Sequence, residues 1–288
     1  MMAPAKESPA KPKVALLLDA HRMDALVFHQ FRLLSETLEP DVAVHLLLHA
    51  PRGTHRQDDR VIVLTDADIF PPGRKAKPGV TKVIPGNPDL KLIRAARLLP
   101  GYDAFLRIES DVVCMAGVRD TYLRMLARFA PYDFVAQAFA SQKGDPGWKW
   151  WPTFTAPEEI RAALTPDRML RAFLPILYYS RAFIDGYAAA LDAGWGGHYE
   201  VTMPSFAAHA GLAYCDFRRK WPSITKPATF KATKLLTTDP DGAQFCHPVK
   251  TVEHLLAFHG LHDIFPEGDA PPPPRKPAPA RAPAVRLP

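Results

Sequence analysis

The sequence predicts an α/β fold in which a mixed, mainly parallel sheet is flanked by helices within a single domain. Apolar runs that suit buried strands alternate along the chain with segments whose apolar residues recur at helical spacing. No internal repeat of fixed period interrupts this alternation. Strands that alternate with helices usually form largely parallel sheets that are covered on both faces.

The first predicted strand and helix show the pattern clearly. Residues 14–18 read VALLL, a buried strand, and Val27, Phe31, Leu34 and Leu38 then recur at spacings of four, three and four, as on one helix face. Further strands are predicted at residues 42–48, 61–64, 104–108, 134–138, 176–179 and 212–216, and further helices at 89–99, 118–129, 181–193 and 201–210. A Pro/Gly-rich loop is predicted over residues 71–88.

Composition bounds the folded part of the chain. An apolar content of 47% in 288 residues is enough for one substantial core, which we place within residues 13–265. Residues 1–12 and the proline-rich residues 266–288 are predicted to be disordered tails. Residues 1–13 and 266–288 each contribute +2 to the net charge of +6, which leaves +2 for the body. This distribution argues against a nucleic-acid-binding protein.

The sequence also predicts a soluble, cytoplasmic protein without a transmembrane segment. No run of about 18 apolar residues occurs, and the first residues lack the apolar stretch of a secretory signal. Cys114, Cys215 and Cys246 are widely spaced and form no CxxC pair, which argues against disulfides and a zinc knuckle and fits a reducing compartment.

Polar residues that directly follow strands are the first candidates for a binding site, because ligands of open α/β sheets bind beyond the carboxyl ends of the strands. Asp19 and His21 follow the first strand, and Asp66 and Asp68 follow another. Nucleobase contacts are expected near these residues.

Glu109 and Asp111, separated by Ser110, follow the strand at 104–108. Side chains at i and i+2 of a strand project to the same side, so two carboxylates should converge there and raise one another's pKa. A divalent cation, Mg²⁺ or Mn²⁺, that bridges a diphosphate would remove this repulsion. The alternative is a surface turn in which Asp111 caps the next helix.

Three further segments could carry chemistry. Glu200 lies at the start of a helix after Gly194–Gly197, where it could be a general base or an ordinary first-turn residue. His247 could complete a metal shell and Lys250 could neutralise phosphate, although a histidine before proline is also common in loops. The tryptophans could stack on sugar rings or pack in the core; they are Trp148, Trp150 and Trp151.

The segment Tyr102–Val112, read as YDAFLRIESDV, resembles the strand and acidic turn of GT-A glycosyltransferases, which have a Rossmann-like fold and a short motif written DxD. Here Glu109 stands at the first position of that motif. The segment GGHYE, which ends at Glu200, is similar to the region that holds the catalytic base in inverting members. The likeness extends over about residues 14–260 and reaches a C-terminal histidine, here His247.

The resemblance implies a metal-dependent glycosyltransferase, a hexosyl- or pentosyltransferase that uses a UDP- or GDP-linked sugar and inverts the anomeric carbon. Glu200 would be the catalytic base. The implied metal ligands are Asp111, Glu109 and His247; the donor contacts are Asp19, His21, Glu109, Ser110 and Lys250; and the acceptor contacts are Trp148, Trp150, Trp151 and His198.

Two other functions are compatible with the same sheet. A sugar nucleotidyltransferase usually has a glycine-rich phosphate loop after the first strand, whereas residues 19–24 read DAHRMD. A non-catalytic carbohydrate-binding protein could retain the fold and the tryptophans, because a fold does not fix a function. The sequence contains no GxSxG motif, which argues against a serine hydrolase.

Overall fold

The computed structural model describes residues 12–50, 58–70, 77, 80, 82–233 and 242–259. The predicted tails, residues 1–12 and 266–288, therefore lie outside the described residues, except for residue 12. The strands are β1 (Val14–Ala20), β2 (Ala43–His49), β3 (Val61–Leu64), β4 (Ala104–Glu109), β5 (Val113–Cys114), β6 (Phe134–Ser141), β7 (Leu170–Ser180), β8 (Tyr214–Asp216), β9 (Thr225–Phe230) and β10 (Phe245–His247). The helices are α1 (Ala25–Leu38), α2 (Asp66–Ile69), α3 (Pro88–Leu98), α4 (Val118–Phe129), α5 (Glu158–Ala163), α6 (Arg181–Asp192), α7 (Tyr199–His209), α8 (Phe217–Lys220) and α9 (Val252–His259), with a 3-10 turn at Trp151–Thr153.

Seven strands form the central sheet, in the order β3-β2-β1-β4-β7-β6-β8. The pairs that join β3, β2, β1 and β4 are parallel, and so is the pair of β6 with β8. Only β7 runs against its neighbours, β4 and β6. The prediction of a mixed, mainly parallel sheet within one α/β domain is therefore confirmed.

Each face of this sheet is buried under its own set of helices. Alternate residues of β1 divide between the two cores: Ala15 and Leu17 face one side, and Leu16 and Leu18 face the other. Helices α3, α6 and α7 contribute the apolar residues that cover the first side, and α1 and α4 cover the second. This double coverage explains why the strand sequence is apolar throughout rather than alternating.

The connections between strands reverse direction at β1. The chain moves from β1 to β2 and β3 on one side and then returns to β4 on the other side of β1. At such a switch point the connecting segments diverge, and a crevice opens beyond the carboxyl ends of the two strands. Asp19 and Glu109 are paired in register across β1 and β4 at this end.

A second, three-stranded sheet brings the C-terminal part of the chain to the end of β4. Its order is β5-β10-β9, with β10 antiparallel to β5 and parallel to β9. Beyond β10, the backbone N–H of Val249 donates to the carbonyl of Asp111 at 2.8 Å. These bonds hold His247 next to the acidic turn, although 136 residues separate it from Asp111 along the chain.

Residues 194–197, which precede α7, are bound to residues 148–155, which we call the tryptophan segment. Thr155 and Gly196 form an isolated antiparallel bridge, and the N–H of His198 donates to the Thr153 hydroxyl at 2.9 Å. Gly197 has φ of +108°, and a Cβ atom there would lie 2.5 Å from the carbonyl oxygen of Thr153. Only glycine therefore allows this close approach.

The predicted strands and helices that fall within the described residues are present, with ends that shift by a few residues. The largest differences are β7, which begins at Leu170 rather than at residue 176, and β6, which continues to Ser141. The sequence analysis missed the short elements α2, α5, α8, β5, β9, β10 and α9. Half of the residues in the loop predicted at 71–88 lie outside the described residues, and α3 begins at Pro88.

None of the helices in the described part of the chain is both long enough and apolar enough to cross a membrane.

Replacing Gly197 with alanine is expected to lower the free energy of unfolding by at least about 2 kcal/mol, because the new side chain meets the backbone of Thr153 and needs a left-handed conformation. Urea unfolding followed by circular dichroism measures this. Gly117→Ala is the matched control, since a Cβ there meets nothing within 4 Å. Equal stability of the two variants would contradict the assigned packing.

Candidate functional site

A cleft of about 340 Å³ lies at the switch point, and we call it the central cleft. Its lining comes from the ends of β1 and β4, the start of α1, residues between 84 and 88, the start of α7, the tryptophan segment and the residues after β10. The residues from the sequence prediction that line it are Asp19, His21, Glu109, Ser110, Asp111, Trp150, His198, Glu200 and Lys250.

Three potential metal ligands meet at one end of this cleft. One ligand atom each of Glu109, Asp111 and His247 lies within 4.8 Å of the others. The Nε2 atom of His247 is 3.4 Å from a carboxylate oxygen of Glu109 and 3.3 Å from one of Asp111. The structure thus brings together the two carboxylates and the histidine that the resemblance implied.

The surroundings of His247 determine which ring nitrogen faces the two carboxylates. Its Nδ1 atom forms a hydrogen bond of 2.7 Å with the carbonyl of Lys231, which leaves Nε2 directed at the two carboxylates. Burial opposes the charged imidazole, but hydrogen bonds and charge from Asp111 and Glu109 outweigh it and raise the pKa of His247 to about 9. In the metal-free protein, a protonated His247 therefore offsets part of the negative charge.

Burial raises the pKa of Glu109, and the charge of Asp111 raises it further, as predicted from the sequence, but Arg107 and His247 together outweigh both, so the net shift is downward. Burial also opposes the charge of Asp111, yet bonds to His247 and Lys250 hold its pKa well below the usual range. The sequence analysis did not foresee these cations, which decide the net direction.

The donor set fits a divalent cation. Two carboxylates and one imidazole are ligands that Mn²⁺ accepts, and Mg²⁺ is also compatible with the oxygens. The Nδ1 atom of His247 bound to a backbone carbonyl is the usual outer contact of a metal-ligating histidine. A cation would replace the proton of His247, so its binding would be tighter at higher pH.

Glu200 also lines the cleft and lies in the first turn of α7, after the N-cap residue His198. Its side chain is only 16% exposed. Burial, followed by the nearby charge of Glu109, raises the pKa of Glu200 to about 8. A carboxyl group with a pKa near neutrality can exchange a proton with a bound hydroxyl, which is the property required of a general base or acid.

Asp19 belongs to a buried ion-pair cluster that was not foreseen. Its carboxylate accepts hydrogen bonds from Arg107, at 2.8 Å from Nε and 2.6 Å from a terminal nitrogen, and from the ammonium of Lys91. Burial would raise the pKa of Asp19, but the two cations lower it. Arg107 also donates to Glu109 at 2.8 Å and to the carbonyl of Leu174 at 2.8 Å.

The sequence held a signal for this cluster, because Arg107 stands inside an apolar strand. A buried arginine needs an acidic partner, and the neighbouring strand offers Asp19 in a near register. The polar atoms of Asp19 are thus already engaged within the protein. A nucleotide contact through this side chain stays a prediction that would compete with Lys91 and Arg107.

The other residues near which nucleobase contacts are predicted, His21, Asp66 and Asp68, have different surroundings. His21 is exposed and also lines a second cavity of about 670 Å³, where Asp66 accepts from His49 at 2.8 Å. Asp68 instead caps α2 through a reciprocal bond with Thr65. These positions suit the predicted role of Asp66 better than that of Asp68.

The carbonyl of Ser110 accepts a hydrogen bond from the buried Gln30 at 2.5 Å, and its N–H donates to the carbonyl of Asp19 at 3.0 Å. These bonds fix the backbone of the acidic turn against β1 and α1. Ser110 itself lines the central cleft.

The three tryptophans occupy different places. Trp150 lines the central cleft and stacks on His198, with ring centroids 4.5 Å apart. Trp151 is buried in the core, and its indole nitrogen donates to the carbonyl of Asp145 at 2.7 Å. Trp148 packs edge-on against Trp151 and lines a separate cavity. Only Trp150 is therefore positioned to touch a ligand in the central cleft.

His198 is buried, and its ring orientation is set by α7. Its Nδ1 atom accepts from the backbone N–H of Glu200 at 3.4 Å, as an N-cap. Burial, together with the charges of Lys77 and Lys149, lowers the pKa of His198 to about 3, so the ring is neutral. Since Nδ1 accepts, the proton lies on Nε2, which has no hydrogen-bond partner among the described residues.

Comparison with known proteins gives little further guidance. No protein-family model matches the chain, and no curated protein matches it. One similar solved structure is the crystal structure of A197 from STIV. The two sequences are 11% identical, and the superposition covers 60% of this chain and 67% of that chain at a TM-score of 0.27. The mannose-1-phosphate geranyltransferase of Thermus thermophilus is 13% identical, with 72% and 70% covered at a TM-score of 0.31. Both scores are too low for these similarities to bear on the chemistry.

Replacing Asp19 with asparagine is expected to lower the free energy of unfolding by about 3 to 5 kcal/mol, because two buried cations lose their common counter-charge. Chemical denaturation measures the loss. Asp120→Asn is the control, since that carboxylate is 76% exposed and should change stability by less than about 1 kcal/mol. A small loss in the Asp19 variant would refute the buried cluster.

Glu200 is expected to make the protein less stable as the pH rises. The unfolded chain releases this proton near the ordinary value of 4.5, whereas the folded protein keeps it up to about 8. Between these values the folded state binds the extra proton, so the free energy of unfolding falls as pH increases.

The variant Glu200→Gln should lose this contribution and gain stability over the wild type, on the order of 1 to 3 kcal/mol, between pH 5 and about 8. Thermal or urea unfolding at several pH values tests it. Glu158→Gln, which replaces an exposed first-turn residue of α5, should show no such trend. Parallel stability curves for Glu200→Gln and the wild type would contradict the raised pKa.

Proposed function

We propose that this protein is a metal-dependent glycosyltransferase that moves a sugar from a nucleotide-sugar to an acceptor hydroxyl with inversion of the anomeric carbon. The observation that carries the proposal is the cluster of Glu109, Asp111 and His247 at the switch point, beside a cleft that the half-buried Glu200 also lines. The site thus combines potential metal ligands with a carboxyl group that has a pKa near neutrality.

The nucleotide-sugar donor would bind beside the three potential metal ligands. Glu109, Asp111 and His247 would hold Mn²⁺ or Mg²⁺, which when bound stabilises negative charge on the diphosphate leaving group. Lys250 forms an ion pair with Asp111, yet its side chain is 58% exposed and can turn towards a phosphate oxygen. The exposed His21 and the cavity beside Asp66 lie on the side where the nucleoside would extend.

The acceptor would bind beside Glu200. The ionised carboxylate of Glu200 would accept the proton of the attacking hydroxyl and become a neutral carboxylic acid, which its raised pKa favours. Trp150 and His198 form the adjacent surface, where the flat indole suits one face of a sugar ring. The base and the donor would then face one another across the cleft, as in-line attack with inversion requires.

Calorimetric titration of UDP and of GDP into the protein, with and without Mn²⁺, tests the donor site. Binding of one nucleotide is expected only with the metal, and Asp111→Ala should weaken it at least about tenfold, since a charged ligand atom is lost. Asp24→Asn is the matched control, because Asp24 also lines the cleft but lies outside the ligand cluster. Its asparagine can still cap α1.

Two results would contradict different parts of the proposal. If neither nucleotide binds to the folded protein, the result favours the non-catalytic carbohydrate-binding function. If a nucleotide binds but the sugar product retains its anomeric configuration, the role of Glu200 as the base must be abandoned.

A further inference from the structure

A third cavity, of about 580 Å³, shares Lys149 with the central cleft, and we call it the tryptophan cavity. Its apolar lining includes the buried side chains of Trp151, Phe154 and Leu164. The half-buried Trp148 forms one side. A cavity of this size with aromatic walls can receive a small ring. Packing of the core alone does not require such a space to stay open.

The rim of the tryptophan cavity is positively charged. Lys149 and Arg161 are the charged residues that line it, and no carboxylate is among the described residues of its lining. Both side chains are exposed, and neither forms an ion pair within the part of the chain that the structure describes. Lys149 lies 5.0 Å above the ring of Trp150. Two cations without carboxylates favour an anionic ligand.

Lys149 joins the two cavities, because it lines both of them. The tryptophans on either side of it divide between them: Trp150 faces the central cleft, and Trp148 faces the tryptophan cavity. His198 touches both indole rings, stacked on Trp150 and edge-on to Trp148 at 6.0 Å. A ligand longer than one ring could therefore extend from Glu200 past Lys149 into the tryptophan cavity.

We propose that the tryptophan cavity binds an acidic saccharide unit, which carries a carboxylate or a phosphate and belongs to the same acceptor that presents its hydroxyl to Glu200. The aromatic side chains of the lining would contact the ring face, and Arg161 and Lys149 would bind the anionic group. The link to Glu200 rests on the proposed function, whereas binding of the acidic unit does not. The acceptor is thus an acidic oligosaccharide rather than a neutral sugar or a protein hydroxyl.

Calorimetry with matched acidic and neutral oligosaccharides tests this. The carboxylate pair is trigalacturonate and its full methyl ester, and the phosphate pair is phosphorylated maltotriose and maltotriose. At least one acidic member should bind about tenfold or more tightly than its neutral partner, and added salt should reduce the difference. The pair that shows the preference identifies carboxylate or phosphate as the anionic group.

Variants then locate the binding. Arg161→Gln should weaken binding of the acidic member about threefold to tenfold and leave the neutral member unchanged, because only the charge-assisted contact is lost. Trp148→Ala should weaken both members, since it removes the ring contact. Arg168→Gln is the control, as Arg168 is exposed nearby but does not line the cavity. Thermal unfolding of each variant checks the fold.

Equal binding of acidic and neutral members, or no effect of Arg161→Gln, would overturn the assignment, and so would the absence of binding by all four compounds. Titration of UDP and GDP with Mn²⁺ is performed on the same wild-type preparation. If nucleotides fail to bind while trigalacturonate or phosphorylated maltotriose behaves as expected, the proposed transferase is refuted and the acidic-saccharide site stands.

Discussion

The buried carboxylate of Asp19 is the constraint on which the site depends. It is the counter-charge for Lys91 on α3 and Arg107 on β4, and Arg107 in turn binds Glu109 and the carbonyl of Leu174 on β7. One anion thereby joins two central strands, a covering helix and the antiparallel strand. A buried ion pair adds little net stability, because desolvation offsets the attraction. The ion pair between Asp19 and Arg107 instead fixes the position of Glu109 at the end of the cleft.

Asp111 follows Glu109 in the same turn, whereas His247 comes from a distant part of the chain and is brought to the turn by backbone hydrogen bonds. Bonds between β5 and β10 and from Val249 to Asp111 close a loop of more than 130 residues onto the acidic turn. Closing such a loop costs entropy that grows only slowly with its length. The entropy of loop closure therefore allows the site to include a residue as far along the chain as His247.

Local pattern was enough to predict most of the central sheet. Residues 14–18 are a continuous apolar run and residues 104–108 are apolar except for Arg107, because helices cover both faces, and α1 and α4 show clear helical spacing. The acidic turn and the start of α7 were found for the same reason, since each directly follows or begins a recognisable element.

What the sequence did not reveal depends on contacts between distant residues. Strands β5 and β10 have two and three residues, which is too short for any periodicity to be recognised. The direction of β7 and the burial of Lys91 follow only from the assembled sheet. The tryptophans divided between core and cleft because adjacent residues of an irregular segment point in different directions, which composition cannot indicate.

The contact of Gly197 with Thr153 has a mechanical consequence. The tryptophan segment and the first turn of α7 are bound by the bridge at Gly196, by the Thr153 hydroxyl and by the stacking of Trp150 on His198. We therefore expect the two segments to move together. If the cleft widens to admit a substrate, we expect the hinge to lie outside them, so that Glu200 and Trp150 keep their mutual geometry whether the cleft is open or closed.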